Sequence, residues 1–274
     1  MTTNTETGLV SAEQRAQYHE EGYMILERVI PESLLRMLQE ECHYSVGYTD
    51  GQMDAAGEKT RGITHRGSRY FIGNKYRMSH RMHRFIYSDL MAEVCLATLG
   101  PDAFLFNEQW VVKGPEQGMK FAWHQDSGYV KHRMRQTTHR PYLTCWCTLD
   151  YVSERNGTVY ILPHSRAGTK ERIFDHTKEE GTNDLIGYRG DDAGIPVECP
   201  AGSIVAFTSY TFHRSGANTS DEMRRIYLAQ YSAEPILNQH DTYWAQAVPF
   251  LRDGQRTYDR ETDTAERWGP FPQE

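Results

Sequence analysis

FLFNEQWVVK (residues 104–113) and MKFAWHQD (residues 119–126) are rich in aromatic and β-branched residues and are separated by Gly114, Pro115 and Gly118. They read as two strands joined by a turn. Working outward, segments at 142–151, 158–162, 196–199, 203–208, 211–214 and 224–232 continue the strand pattern, punctuated by Gly157, Gly168, Gly194 and Gly202. About eight strands of this kind predict a small antiparallel barrel with an open mouth. Upstream, Ser11 with Gln14 forms a capping box, Gly22 ends a first helix, and Tyr23 to Leu26 is a brief strand. Pro31 starts a second helix bearing Leu34, Leu35 and Leu38, and residues 82–99 also read as helical. Residues 44–80 lack periodicity and read as a long loop, a length that in a compact domain is often functional. Thr169 to Gly194 is polar and reads as a surface flap. The expected class is α+β, with a helical N-terminal layer on the barrel.

His124 and Asp126 stand at the end of this opening stretch. A His-x-Asp is weak alone in a chain with 12 histidines. On a strand, however, residues i and i+2 share a face, so both side chains can reach one ion. His19-Glu20-Glu21 is the control, since in a helical pattern such a pair does not share a face. A second histidine, His213, lies in the strand at 211–214. Two imidazoles and one carboxylate form the ligand set of a non-haem Fe(II) oxygenase, with the remaining positions open for cosubstrate and O₂. The same three ligands also suit a zinc-dependent hydrolase, although no general base stands out nearby. Restoration of activity by iron with 2-oxoglutarate, or by zinc, separates the two. A non-catalytic barrel is disfavoured by the intact triad.

Composition narrows the class. The chain has 274 residues, 38% hydrophobic, a formal net charge of −7, and no apolar run long enough to span a membrane. MTTNTETGLV lacks the basic start and apolar core of a signal peptide, which points to the cytoplasm. The five cysteines form no Cys-x-x-Cys, and Cys145 and Cys147 flank Trp146 at strand spacing as packing residues.

In order and spacing, the fragments Glu21-Gly22-Tyr23, Trp123-His124-Gln125-Asp126, Asn156 to Ser165, Cys199 to Ser203 and His213 to Ser220, followed by Arg224, resemble the phytanoyl-CoA dioxygenase family of Fe(II)/2-oxoglutarate oxygenases. The departure is at His164-Ser165, where many relatives show Gly-Ser-His. The resemblance covers most of the chain and implies a double-stranded β-helix, a jelly-roll or cupin-like barrel. It implies one dioxygenase domain over 1–274, with a helical layer and substrate loop at 1–103, a barrel core at 104–232 and a C-terminal extension at 233–274. It implies Fe(II), 2-oxoglutarate and O₂ as cofactor and cosubstrates, with His124, Asp126 and His213 as catalytic metal ligands. The arginine eleven residues beyond the distal histidine pairs with the far carboxylate of 2-oxoglutarate in this family, which selects Arg224. Arg225 is the competitor, and Arg224 shares its parity with apolar Ile226 and Leu228. A guanidinium suits the task because its planar fork matches a carboxylate and keeps its charge. Ser215 resembles the family's hydroxyl donor to that carboxylate, and Trp146 and Thr144 look like walls of the same pocket. Related halogenases carry a small residue in place of the carboxylate, so Asp126 favours hydroxylation.

The charge pattern bears on the substrate. Residues 59–88 carry eight lysines and arginines and no acid, and residues 127–149 hold Lys131, Arg133, Arg135 and Arg140, again without an acid. Near the barrel mouth these would form a positive rim for a small anionic molecule, with Arg61, Arg66, Arg69, Lys131 and Tyr129 as the substrate candidates. The blander reading is a basic surface paired with the acidic flap at 171–192. Nucleic acid is argued against by the overall acidity.

Overall fold

A computed structural model describes residues 8–115, 119–133, 139–182, 184–238 and 240–269. Gly118 and Arg135 of the sequence reading lie outside them, as do residues 1–7 of the N-terminal stretch. Among the described residues the strands form two main antiparallel sheets. The larger contains Tyr23–Leu26, Ile204–Thr208, Leu143–Thr148, Arg224–Ser232, Ala103–Lys113 and Arg69–Gly73 as successive neighbours. The smaller places Phe212–Ser215 between Phe121–His124 and Val159–Leu162.

These sheets face each other across an apolar layer. Val111, Trp146, Val205, Phe207, Ile226 and Leu228 from the large sheet meet Val159 and Ile161 from the small one. Alternate residues of the same large-sheet strands, among them Cys145, Cys147, Tyr227, Ala229 and Tyr231, point the other way and pack under the helices with Leu38, Cys42, Phe85, Met91 and Cys95. Arg224–Ser232 is thus buried on both faces along nearly its whole length, and its centre, Ile226 to Ala229, is apolar without alternation. Two facing sheets stand where a barrel was expected, and they form no single closed barrel among the described residues. All five cysteines are free and buried. No described helix is long and apolar enough to cross a membrane.

Local chemistry sets the first elements. The Ser11–Gln14 capping box starts helix Ala12–Glu21, and Gly22 ends it at φ 85°. A Cβ on Gly22 would come within 2.4 Å of the His164 and Thr211 side chains, so glycine is required both for its φ and for the close approach.

Several elements differ from the sequence reading. The second helix runs Glu32–Ala56, well into the expected 44–80 loop, because Cys42, Val46 and Met53 continue its buried stripe. Gly47 and Gly51 cost about 1 kcal/mol each relative to alanine, and this packing offsets them. The rest of that loop holds the short pairs Thr60–Arg61 and Thr64–His65 and the five-residue strand Arg69–Gly73. The helix at 82–99 is broken at Tyr87, where Ser88 caps a separate helix, Asp89–Thr98. The expected strand at 196–199 is reduced to Ile195–Pro196 and a Val152–Cys199 bridge. In the C-terminal extension, Val248–Arg252 adds a strand to the large sheet beside Ala103–Lys113.

The flap is also more than surface. Leu185–Ile186 pairs with Thr177–Lys178, and Asp184 lies buried against the equally buried Arg69, accepting from Nη2 at 2.9 Å and from Nη1 at 3.2 Å. Breaking a buried pair leaves an uncompensated charge, whereas replacing both partners does not. Asp184→Ala should therefore destabilise the protein by about 3 to 5 kcal/mol in urea unfolding, and Arg69→Leu with Asp184→Leu should recover most of that loss. Equal losses in the single and double variants would mean that the ion pair does not tie down the flap.

Candidate metal centre and cosubstrate pocket

His124 ends strand Phe121–His124, and His213 lies directly opposite it in the antiparallel register. The two rings approach to 4.1 Å between centroids. His124 Nδ1 is 2.8 Å from the Ala122 carbonyl and His213 Nδ1 is 3.1 Å from the Thr211 carbonyl. A carbonyl only accepts, so each Nδ1 carries a proton, which fixes the tautomer whose neutral ring presents the Nε2 lone pair to an ion. Asp126 Oδ1 lies 3.6 Å from one Nε2 and 3.5 Å from the other. One donor atom from each of the three residues lies within 4.8 Å of the others, close enough to hold one ion.

The route to this cluster corrects the strand argument. The strand stops at His124, and Asp126 is the first residue of helix Asp126–Arg133. The chain turns between the two ligands, and the turn rather than the pleat brings the carboxylate round. Gln125 holds that corner. Its backbone N–H donates to His176 Nε2 at 2.9 Å, its amide donates to the Arg172 and Tyr210 carbonyls, and its Oε1 accepts from the Phe174 N–H. The middle residue of the motif thus staples the flap to the metal corner, a role that its sequence position did not signal.

The second oxygen of Asp126 is also engaged. Thr144 Oγ1 donates to Oδ2 at 2.6 Å and Gln230 Nε2 donates at 2.9 Å. Burial alone would raise the Asp126 pKa, but His213, His124 and the Thr144 hydroxyl together bring it down to about 2. Burial pushes His213 down to about 4. At neutral pH this gives a charged carboxylate and a neutral imidazole, the protonation states that metal binding needs. Thr144, expected as a wall of the cosubstrate pocket, instead positions this carboxylate.

A cavity of about 1310 Å³ opens from the cluster. On its inner face Arg69, Lys113 and Arg224 stand side by side across three neighbouring strands, paired in register through Lys113. Arg69 has Asp184, and the Lys113 ammonium donates to the Gly216 carbonyl. Lys113, buried among apolar walls and beside Arg224, has its pKa pushed well down, and no sequence pattern marked it. Arg224 is fully buried, its guanidinium sits 5.4 Å from the Trp146 ring centroid, and its three nitrogens have no hydrogen-bond partner among the described residues. Arg225 faces the opposite side, held by Asp150. Ser215, of the same strand and parity as His213, lines the cavity with Trp146. A desolvated, unpaired guanidinium requires an anion, and a dicarboxylate with one end on the metal fits that need.

The substrate candidates divide. Arg61, Arg69 and Tyr129 line the cavity, with Tyr129 edge-on to His124 at 5.5 Å. Arg66 and Lys131 do not, because acids elsewhere capture them: Asp50 and Asp54 on the long helix hold Arg66, and Asp175 of the flap holds Lys131. Arg61 pairs with Glu58. The acid-free segments therefore find their counter-charges in other parts of the chain, partly in the acidic flap.

Residues 18–226 match the family model described as phytanoyl-CoA dioxygenase (PhyH). Among curated proteins, the chain is 27% identical over 234 residues to a probable alpha-ketoglutarate-dependent hypophosphite dioxygenase of Stutzerimonas stutzeri, covering 81% of this chain and 78% of that one. It is 24% identical over 247 residues to an ectoine dioxygenase of Bordetella parapertussis, covering 84% and 78%. Among solved structures, EctD from S. alaskensis with 2-oxoglutarate and 5-hydroxyectoine superposes with a TM-score of 0.67 at 19% identity, covering 93% of this chain and 88% of that one.

His124→Ala, Asp126→Ala and His213→Ala should each lose Fe(II) binding in equilibrium dialysis while keeping the wild-type circular dichroism spectrum. Wild-type iron affinity in any one of them would remove that residue from the site. Arg224→Ala should raise the apparent KM for 2-oxoglutarate roughly 10- to 100-fold, since a charge-assisted pair is worth about 1.5 to 3 kcal/mol. Arg225→Ala should change it far less. The reverse order would place the cosubstrate elsewhere.

Proposed function

The chain belongs to the phytanoyl-CoA dioxygenase family and is an iron- and 2-oxoglutarate-dependent dioxygenase, and we propose that it hydroxylates a small anionic metabolite at a C–H bond. The observation that carries the cosubstrate half of this reading is Arg224, a buried guanidinium with no hydrogen-bond partner among the described residues, in the same cavity as the three ligands. In this reading His124, Asp126 and His213 hold the iron, and Arg224 with Ser215 grips the far carboxylate of 2-oxoglutarate against Trp146. The bound iron and cosubstrate supply the oxidant, with O₂ consumed and 2-oxoglutarate converted to succinate and CO₂. The work of the chain is positional. Thr144 and Gln230 fix Asp126, the apolar layer around Phe207 and Val159 excludes water, and the flap closes one side through Gln125. A zinc hydrolase built on the same three ligands would leave Arg224 buried and unpaired. The two facing sheets are read as the halves of a double-stranded β-helix.

The anionic substrate is supported by the cavity lining. Among the described residues it carries nine arginines and lysines, including Lys75, Arg77, Lys178 and Arg214, against one acid, the ligand Asp126. Hypophosphite and 2-aminoethylphosphonate, in the names of two relatives, are small phosphorus oxyanions. A screen of small phosphonates, phosphates and carboxylates for stimulation of 2-oxoglutarate turnover tests the reading. The hit should bind more weakly as salt rises, because exposed charges are screened beyond about 8 to 10 Å at physiological ionic strength. Arg61→Ala should weaken that substrate and leave the KM for 2-oxoglutarate unchanged. A neutral substrate that is insensitive to salt would sink the anionic reading.

A further inference from the structure

The hydrogen bonds that hold Asp126 continue outward, and chemistry fixes the direction of each. A carboxylate accepts only, so Gln230 must turn its amide NH₂ to Asp126 Oδ2. That leaves Gln230 Oε1 facing Asn107, which must answer with its own NH₂, and Asn107 Nδ2 donates to it at 2.8 Å. The chain of donors therefore ends on a carbonyl oxygen. Asn107 Oδ1 is buried and has no partner among the described residues, with the residue only 8% exposed.

Asn107 lines the cavity on the same strand as Gln109, Val111 and Lys113. The register slips beside it: Gln230 pairs with Asn107 but Tyr231 pairs with Leu105, so Phe106 is the extra residue of a bulge. Bulges re-aim side chains next to active sites, and here Phe106 lines the cavity beside Asn107. Its ring lies 4.7 Å from Tyr142 and 5.4 Å from Trp244, both of which also line the cavity. An acceptor without a partner among the described residues thus stands beside an aromatic wall, two hydrogen bonds from the Asp126 carboxylate.

We propose that Asn107 Oδ1 is the recognition acceptor of the substrate subsite and selects a molecule presenting an N–H or O–H group, held against Phe106, Tyr142 and Trp244. This rests on the oxygenase reading above and narrows its substrate class to anions that also carry a hydroxyl or amine donor. A buried acceptor with no protein partner discriminates because a substrate without the donor leaves it unsatisfied.

The test uses matched probes on protein loaded with Fe(II) and 2-oxoglutarate without oxygen, titrated by tryptophan fluorescence: para-hydroxybenzoate against para-methoxybenzoate, and para-aminobenzoate against para-(dimethylamino)benzoate. The donor-bearing member of each pair should bind about 5- to 10-fold more tightly, the value of one net hydrogen bond. Asn107→Leu should abolish that preference. Asn107→Gln, which keeps an amide donor for Gln230 and an amide oxygen as acceptor, should retain it. The visible charge-transfer band of the Fe(II)–2-oxoglutarate complex, which should persist in both variants, reports on the underlying reading: its absence from the wild type would overturn the oxygenase assignment itself. A normal band with equal affinity within each pair, or with a preference that survives Asn107→Leu, would overturn the subsite alone.

Discussion

A guanidinium buried without an anion is the constraint around which the molecule is arranged. Taking such a charge out of water costs several kcal/mol unless a counter-charge meets it, and Arg224 has no hydrogen-bond partner among the described residues. Its two register neighbours show the alternatives. Arg69 is neutralised by Asp184, and Lys113 leans on a backbone carbonyl. The row of three basic side chains is thus graded from ion-paired to unpartnered, and the unpartnered end sits under Trp146, in the cavity that the candidate metal ligands share. The cross-strand pairing of His124 with His213 on the opposite sheet sets the other wall. A molecule that is anionic at one end and chelating at the other answers both demands.

The strands that carry these groups were legible because their apolar content is local. Arg224–Ser232 appears with the bounds that the residue pattern gives, and the alternation that puts Arg224 with Ile226 and Leu228 turns Arg225 out to Asp150. What could not be read is pairing between distant segments. Arg66 and Lys131 look free in a window without acids, yet Asp50, Asp54 and Asp175 reach them from other elements. The helix through 44–56 was hidden by Gly47 and Gly51, whose weak propensity is overridden by a buried stripe that shows only once the sheet is in place. His124 and Asp126 were singled out by strand parity, although the chain brings them together through a strand end and a helix start. The two-residue spacing fits either geometry, and sequence alone does not tell them apart.

Lys113, Gln230, Gln125 and Asn107 carried no signal of their own. Each matters through its neighbour in register or through a hydrogen bond across more than 40 residues of chain. Fully satisfied polar networks in a dry interior hold one arrangement and resist others. The Asp126–Thr144–Gln230–Asn107 series is such a network at its inner end, and it leaves one open valence at the outer end.

The staple made by Gln125 has a thermodynamic corollary. Because the residue between two candidate metal ligands also carries the hydrogen bonds to Arg172, Phe174 and His176, the flap cannot lift without disturbing the corner that presents those side chains. Linkage is reciprocal. Whatever free energy the seated flap adds to metal affinity, a bound metal returns as protection of the flap against opening. The proposed metal site and its cover are therefore coupled, so that loss of an ion held there and loosening of residues 172–176 would accompany each other.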